Sequence, residues 1–99
     1  MNKKQLIIAA IAATLSVSGA FAATDITGVT GNNGVFNITP DKLNGEVGYR
    51  KYDNFNLSAG DIANLIYKYG NSRDINTFIN LVQNGVKIDG ILNTMRDGN

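Results

Sequence analysis

Cysteine, histidine and tryptophan are absent from this 99-residue chain, and proline and glutamate each occur once, as Pro40 and Glu46. Without a thiol or an imidazole, Cys/His zinc sites, haem attachment, cysteine nucleophiles and histidine general bases are excluded. Charge is sparse and balanced. Charged residues make up 17% of the chain, 9 Lys+Arg against 8 Asp+Glu, which is neither the basic field of a nucleic-acid binder nor the charge excess of a disordered chain. Glu46 and the scattered Asp25, Asp41, Asp53, Asp61, Asp74, Asp89 and Asp97 form no local carboxylate pair of the glycosidase kind. Asp89-Gly90 and Asp97-Gly98 do not have the spaced acidic pattern of an EF-hand loop. The expectation is a non-enzymatic protein without metal, cofactor or nucleic-acid partner, built for binding or structure.

Long apolar runs are also scarce, and the one that exists lies at the amino terminus. Met1-Asn2-Lys3-Lys4 is a positive start, Leu6 to Val17 is an uncharged apolar run, and Ala20-Phe21-Ala22 puts small residues at the two positions a signal peptidase reads. The run from Leu6 to Val17 falls well short of the roughly 20 apolar residues that span a bilayer. Residues 1–22 therefore read as an export signal cleaved after Ala22, with Ala20 and Ala22 as the recognition pair. What remains, Ala23 to Asn99, has no basic excess, because Lys3 and Lys4 leave with the signal. A domain that small usually supplements a thin core with disulfides or a metal. With neither at hand, the expectation is the opening piece of a longer fold or a member of a larger assembly.

Residues 23–33 are rich in Thr, Gly and Asn and read as a flexible start, with order expected from Val35. Val35-Phe36-Asn37-Ile38 is a short β-type run closed by Thr39-Pro40-Asp41. Asn44-Gly45 is a hairpin signal, and Val47 to Tyr52 and Asn54 to Leu57 read as strands. Two readings of the second half stay open. Ile62, Leu65, Ile66 and Tyr69, and again Ile75, Phe78, Ile79 and Val82, recur at helical spacing, with Ser58 to Asp61 as a candidate capping box and Gly70 and Gly85 as stops. This reading gives an α+β chain with an αα-hairpin at about 59–84. Against it, Ile, Val, Phe, Tyr, Thr and Asn dominate these runs, a mixture that suits a pleated surface. Val86 to Leu92 reads as a strand in either case.

A weak internal echo favours strands. Asn64-Leu65-Ile66 and Asn80-Leu81-Val82 share an apolar-Asn-Leu-aliphatic core, with Phe55-Asn56-Leu57 and Ile91-Leu92-Asn93 as looser relatives, in a chain that contains 14 asparagines. In a β-solenoid, short parallel strands stack rung upon rung, and asparagines at turns can ladder their amides between rungs.

The ordered segments GVFNI, YRKYDNFNLSAGDIANL, FINLVQNGVKIDGIL and NTMRDGN resemble the amino-terminal secretion domain of filamentous haemagglutinin-type adhesins, the exported partners of two-partner secretion systems. The matching positions are Tyr52, Phe55, Asn56, Leu57, Asn64, Asn80, Val82, Ile88, Asp89, Gly90 and Ile91, over about Gly34 to Asn99. The family's two Asn-Pro signatures have no counterpart, the only proline being Pro40, and Leu81 stands where the family commonly has Arg. What the resemblance implies is a mainly β chain, the start of a right-handed parallel β-helix, with residues 34–99 as an incomplete secretion domain. It implies export to the periplasm and then to the medium or cell surface. The implied partner is an outer-membrane transporter barrel with periplasmic recognition domains, and host cells would be engaged through regions downstream. The alternative is a small self-contained secreted or periplasmic helical interaction protein.

Among individual residues, Tyr49, Tyr52, Phe55 and Phe78 are expected in the core rather than on a recognition surface. Asn56, Asn64, Asn80 and Asn93 either ladder inside turns or are solvated. Gly85 and Gly90 are expected to serve backbone geometry, and Arg50-Lys51 to lie on a solvated face.

Overall fold

The computed structural model describes residues 5–10, 23–70 and 73–96. Its strands in chain order are β1 (Gln5–Ala10), β2 (Asp25–Ile26), β3 (Val35–Ile38), β4 (Lys42–Asn44), β5 (Val47–Leu57), β6 (Ile62–Ile66), β7 (Lys68–Tyr69), β8 (Arg73–Asp74), β9 (Thr77–Ile88) and β10 (Ile91–Met95). The chain is mainly β, with no helix among the described residues.

Two sheets carry the architecture. In one, the order is β1-β9-β5-β2, with β4 also on β5. Here β5 and β9 run parallel, from Val47 opposite Thr77 to Leu57 opposite Ile88, and β9 uses one residue more than β5 to cover that distance. The extra residue enters where Tyr52 faces Val82 but Asn54 faces Gly85, a bulge that leaves Gln83 and Asn84 on β9 against Asp53 alone. The other sheet has the order β10-β6-β3, all parallel, with Ile91 opposite Ile62 and Val35 also opposite Ile62. A short antiparallel hairpin, β7 with β8, lies off both sheets on the path from β6 to β9.

The edge of β5 remote from β9 is closed by antiparallel partners. β4 covers Val47 to Tyr49 through a hairpin with Gly45-Glu46 as its two-residue loop, and Gly45 has φ +63° while Glu46 does not enter the left-handed region. That combination is a type II′ turn, which demands glycine at the first loop position and matches the strand twist. β2 covers Phe55 and Asn56. At the bulge between these two covers, the backbone N–H groups of Asp53 and Asn54 both donate to Thr27 Oγ1, at 3.1 and 2.9 Å.

Both sheets contribute to one core. Tyr52, Phe55, Leu57, Phe78 and Val82 come from β5 and β9, Ile38, Ala63 and Leu65 from β3 and β6, and Ile26, Tyr67 and Ile75 complete it. Tyr52 meets Phe55 edge to face at 5.2 Å, and Tyr67 meets Phe78 likewise at 5.9 Å.

The helical hairpin at about 59–84 is overturned. Ala63, Leu65 and Tyr67 are wholly buried and alternate with Asn64 and Ile66, and Phe78, Asn80 and Val82 alternate with half-buried Ile79 and Leu81. The true period is therefore two. It is obscured because one inward position holds an asparagine and the outward positions hold isoleucine and leucine, which together imitate a 3.6-residue stripe. The flexible start expected at 23–33 also differs from the structure, since β2 pairs with β5 and Ile26 is 3% exposed. The single strand expected over Val86 to Leu92 is broken by a turn at Asp89-Gly90 into the end of β9 and the start of β10. The cleavage residues Ala20 and Ala22 lie outside the described residues.

Candidate functional site

The residues singled out from the sequence, Asn56 apart, fall into three places. Tyr52, Phe55, Leu57 and Val82 are core. Asn80 joins them there: it is fully buried, its Oδ1 accepts the Tyr52 hydroxyl at 2.5 Å and its Nδ2 donates to the Phe78 carbonyl at 3.3 Å. A buried amide must be bonded to be tolerated, and this pair satisfies both ends of the side chain inside the apolar layer. Burial pushes the Tyr52 hydroxyl pKa well above its ordinary value, with the Arg50 charge opposing in part and Asp41 adding to the rise. Burial alone raises Tyr67 to about 12.

Asn64 belongs to the second place, a row of amides across the parallel sheet. Asn93 Nδ2 donates to Asn64 Oδ1 at 3.1 Å, and Asn64 Nδ2 donates to Asn37 Oδ1 at 2.9 Å. All three sit in direct register, Asn93 opposite Asn64 and Asn64 opposite Asn37. They alternate with Phe36, Ile38, Ala63, Leu65 and Leu92, which pack into or against the core, so the row lies on the opposite face of the sheet. An amide ladder therefore exists, on a sheet face rather than inside turns. Asn56 is elsewhere, half-buried on β5 opposite Asp25.

The third place is a stack of turns. Asp89 N–H donates to the Leu57 carbonyl at 2.8 Å, Ile91 N–H to that of Asp61 at 3.0 Å, and Ile62 N–H to that of Gly34 at 2.8 Å. Gly90 lies against the preceding turn so closely that a Cβ would stand 2.3 Å from the Asp61 carbonyl oxygen and 2.6 Å from that of Ser58. Here Ile88 is 38% exposed, and Asp89 is exposed with Lys87 Nζ 3.7 Å from its carboxylate. The Ile-Asp-Gly segment thus forms the turn from β9 to β10, which rests on the turn from β5 to β6.

Other residues emerge only in three dimensions. Arg50, expected on a solvated face, instead bridges separated backbone: Nη1 donates to Thr39 O at 3.0 Å, Nη2 to Gly28 O at 3.3 Å, and the guanidinium lies 5.7 Å from the Tyr52 ring centre. Lys51 is exposed as expected. Tyr49 is half-buried rather than core, while Phe78 is fully buried. Thr24 Oγ1 donates to Asp61 Oδ2 and accepts the Ser58 N–H, tying the amino-terminal segment to the β5–β6 turn. Thr24 and Thr27 carry no sequence signal. Asn37 does, since Phe36-Asn37-Ile38 repeats the apolar-Asn-aliphatic pattern.

The arrangement presents the backbone edges of two sheets. No cluster of three or more acidic residues that could hold a metal occurs among the described residues. One sheet has partners at both edges, β2 and β4 on β5 and β1 on β9. In the other, no described strand lies beyond β10 or β3, and exposed Asn93 ends the amide row. Compared with known proteins, the chain matches no family model, and no curated sequence or solved structure is similar to it.

Proposed function

We propose that this chain is the amino-terminal segment of an exported filamentous haemagglutinin-type adhesin, the first rungs of a right-handed parallel β-helix. In this reading residues 1–22 direct export to the periplasm, and a partner outer-membrane barrel with periplasmic recognition domains carries the chain to the medium or cell surface. Adhesion to host cells belongs to regions downstream. The observation that carries the reading is parallel stacking in register. Val35 lies beside Ile62 beside Ile91 and Val47 beside Thr77, antiparallel β2 and β4 close the β5 edge, and among the described residues no strand lies beyond β10. A capped solenoid start has that form, because each further rung needs a parallel edge on which to add. The same edge, with its unpaired N–H and C=O groups, is a template for strand addition by a partner. The competing reading, a helical interaction protein, loses its premise because 62–66 and 77–88 are strands.

The test is secretion of the chain in a bacterial host with and without a two-partner secretion barrel. The expected result is barrel-dependent appearance in the medium, lost in Val86→Pro/Ile88→Pro, which removes two backbone donors from β9. Release that is indifferent to the barrel, or to the two prolines, would refute the proposal.

A further inference from the structure

The outer edge of β9 is not bare, because β1 lies on it. Gln5 stands opposite Thr77 and Ala10 opposite Val82, six consecutive parallel pairs. On the other side of β9 the same six residues face Val47 to Tyr52 of β5, also in parallel. β1 therefore has the direction and register of an added parallel strand, and its pairing ends where the β9 bulge at Gln83 and Asn84 begins.

The geometry points to a built-in cover: in the uncleaved chain, the apolar start of the amino-terminal run occupies the β9 edge as a surrogate rung. The need for one is legible in β9. Thr77 to Val82 is TFINLV, a stretch without charge or proline and rich in β-formers, the composition that makes an open edge prone to pair with other chains. Amides alternate in direction along a strand, so β5 can satisfy only half of those in Thr77 to Val82, and β1 takes the other half. One consequence rests on the export reading above: cleavage after Ala22 detaches the cover and opens the edge only after the segment has served as a signal. Folding and signal recognition then compete for the same residues, since a run paired along β9 is withheld from the export machinery.

The absence of cysteine gives a clean test on the full-length chain. Ile7→Cys/Ile79→Cys joins register partners, whereas Ile7→Cys/Leu81→Cys is displaced by two positions. The expected result under mild oxidation is an intramolecular disulfide in the first variant at about tenfold the yield of the second, because bridging needs Cα atoms within about 7 Å. Equal yields, or no bridge in the first, would overturn the proposal. Hydrogen exchange reads the same contact without engineered thiols. In Ile7→Pro/Ile8→Pro the β1-facing amides of Thr77 to Val82 should exchange at least about tenfold faster while the β5-facing ones stay protected; unchanged rates in both sets would also overturn it. Neither readout involves the secretion barrel, so the cover can fail while the secretion reading stands, and the reverse.

Discussion

Replacing Tyr52 by phenylalanine removes a single oxygen and leaves the Asn80 Oδ1 without its donor in a fully buried position. Water cannot replace the lost hydroxyl cheaply there, so the cost is that of an unsatisfied buried acceptor, about 1–3 kcal/mol. For a chain of this size the melting temperature moves by about 4–8 °C per kcal/mol, which gives a drop of roughly 4–24 °C. Asn80→Leu keeps the branched shape but strands the tyrosine hydroxyl, so it too destabilises, less the gain from apolar burial. The double variant Tyr52→Phe/Asn80→Leu removes both polar partners and should lie within about 1 kcal/mol of the parent, since a matched apolar pair needs no hydrogen bond. Urea unfolding of the four proteins closes the double-mutant cycle, with an expected coupling of about 1–3 kcal/mol. Additive single changes, with no coupling, would refute the claim that these two side chains exist for each other.

Three further outcomes follow from the geometry. Asn64→Ala breaks two amide bonds and Asn93→Ala one, so urea midpoints should fall more for the first, about 1–3 kcal/mol against at most about 1.5 kcal/mol; equal losses would deny the ladder. Gly90→Ala forces backbone apart at the turn stack and should cost about 1–3 kcal/mol or more in thermal unfolding. Gly60→Ala has open space around it and only the strain of φ +88°, about 1–2 kcal/mol. Burial raises the pKa of Tyr52 and takes that of Tyr67 to about 12, so the folded state holds these protons more tightly than the unfolded one. That stability is fully present below about pH 10 and is lost as pH rises through the folded values. Unfolding midpoints measured from neutral to strongly alkaline pH should show this fall, lessened in Tyr52→Phe/Tyr67→Phe.

The strands legible in the sequence are those whose alternation is chemically clean. Val35 to Ile38 and the stretch Val47 to Leu57 can be read from β-formers and the Asn44-Gly45 turn, but the two strands expected on either side of Asp53 are one continuous strand, β5, whose register to β9 shifts beside Tyr52. The second half is ambiguous because Asn80 occupies a core position and is neutralised by Tyr52, far along the chain, a fact no local window contains. The amino-terminal segment is undervalued for a similar reason. Its anchors are the hydroxyls of Thr24 and Thr27, whose partners Asp53, Asn54, Ser58 and Asp61 all lie beyond β3 and β4 along the chain. The sequence echo of asparagines does mark the ladder, but it groups Asn56 and Asn80 with Asn64 and Asn93, although only the latter pair belongs to it together with Asn37.

The β7–β8 hairpin bears on how such a chain can change in length. Its strands stand off both sheets; Tyr69 packs against the core, Arg73 Nη2 donates to the Gly45 carbonyl at 3.5 Å, and exposed Asp74 lies 3.9 Å from Lys68 and 3.5 Å from Arg96. Insertions and deletions there alter the spacing between β6 and β9 without disturbing any parallel pairing, and loop closure charges them little, about 0.6 kcal/mol for each doubling of loop length. The Ser58 to Asp61 turn has no such freedom, because Gly90 rests on its carbonyls and Thr24 on its aspartate. The chain is thus elastic at one corner and incompressible at the other, and divergence in length among chains built this way should collect at the tip of the β7–β8 hairpin.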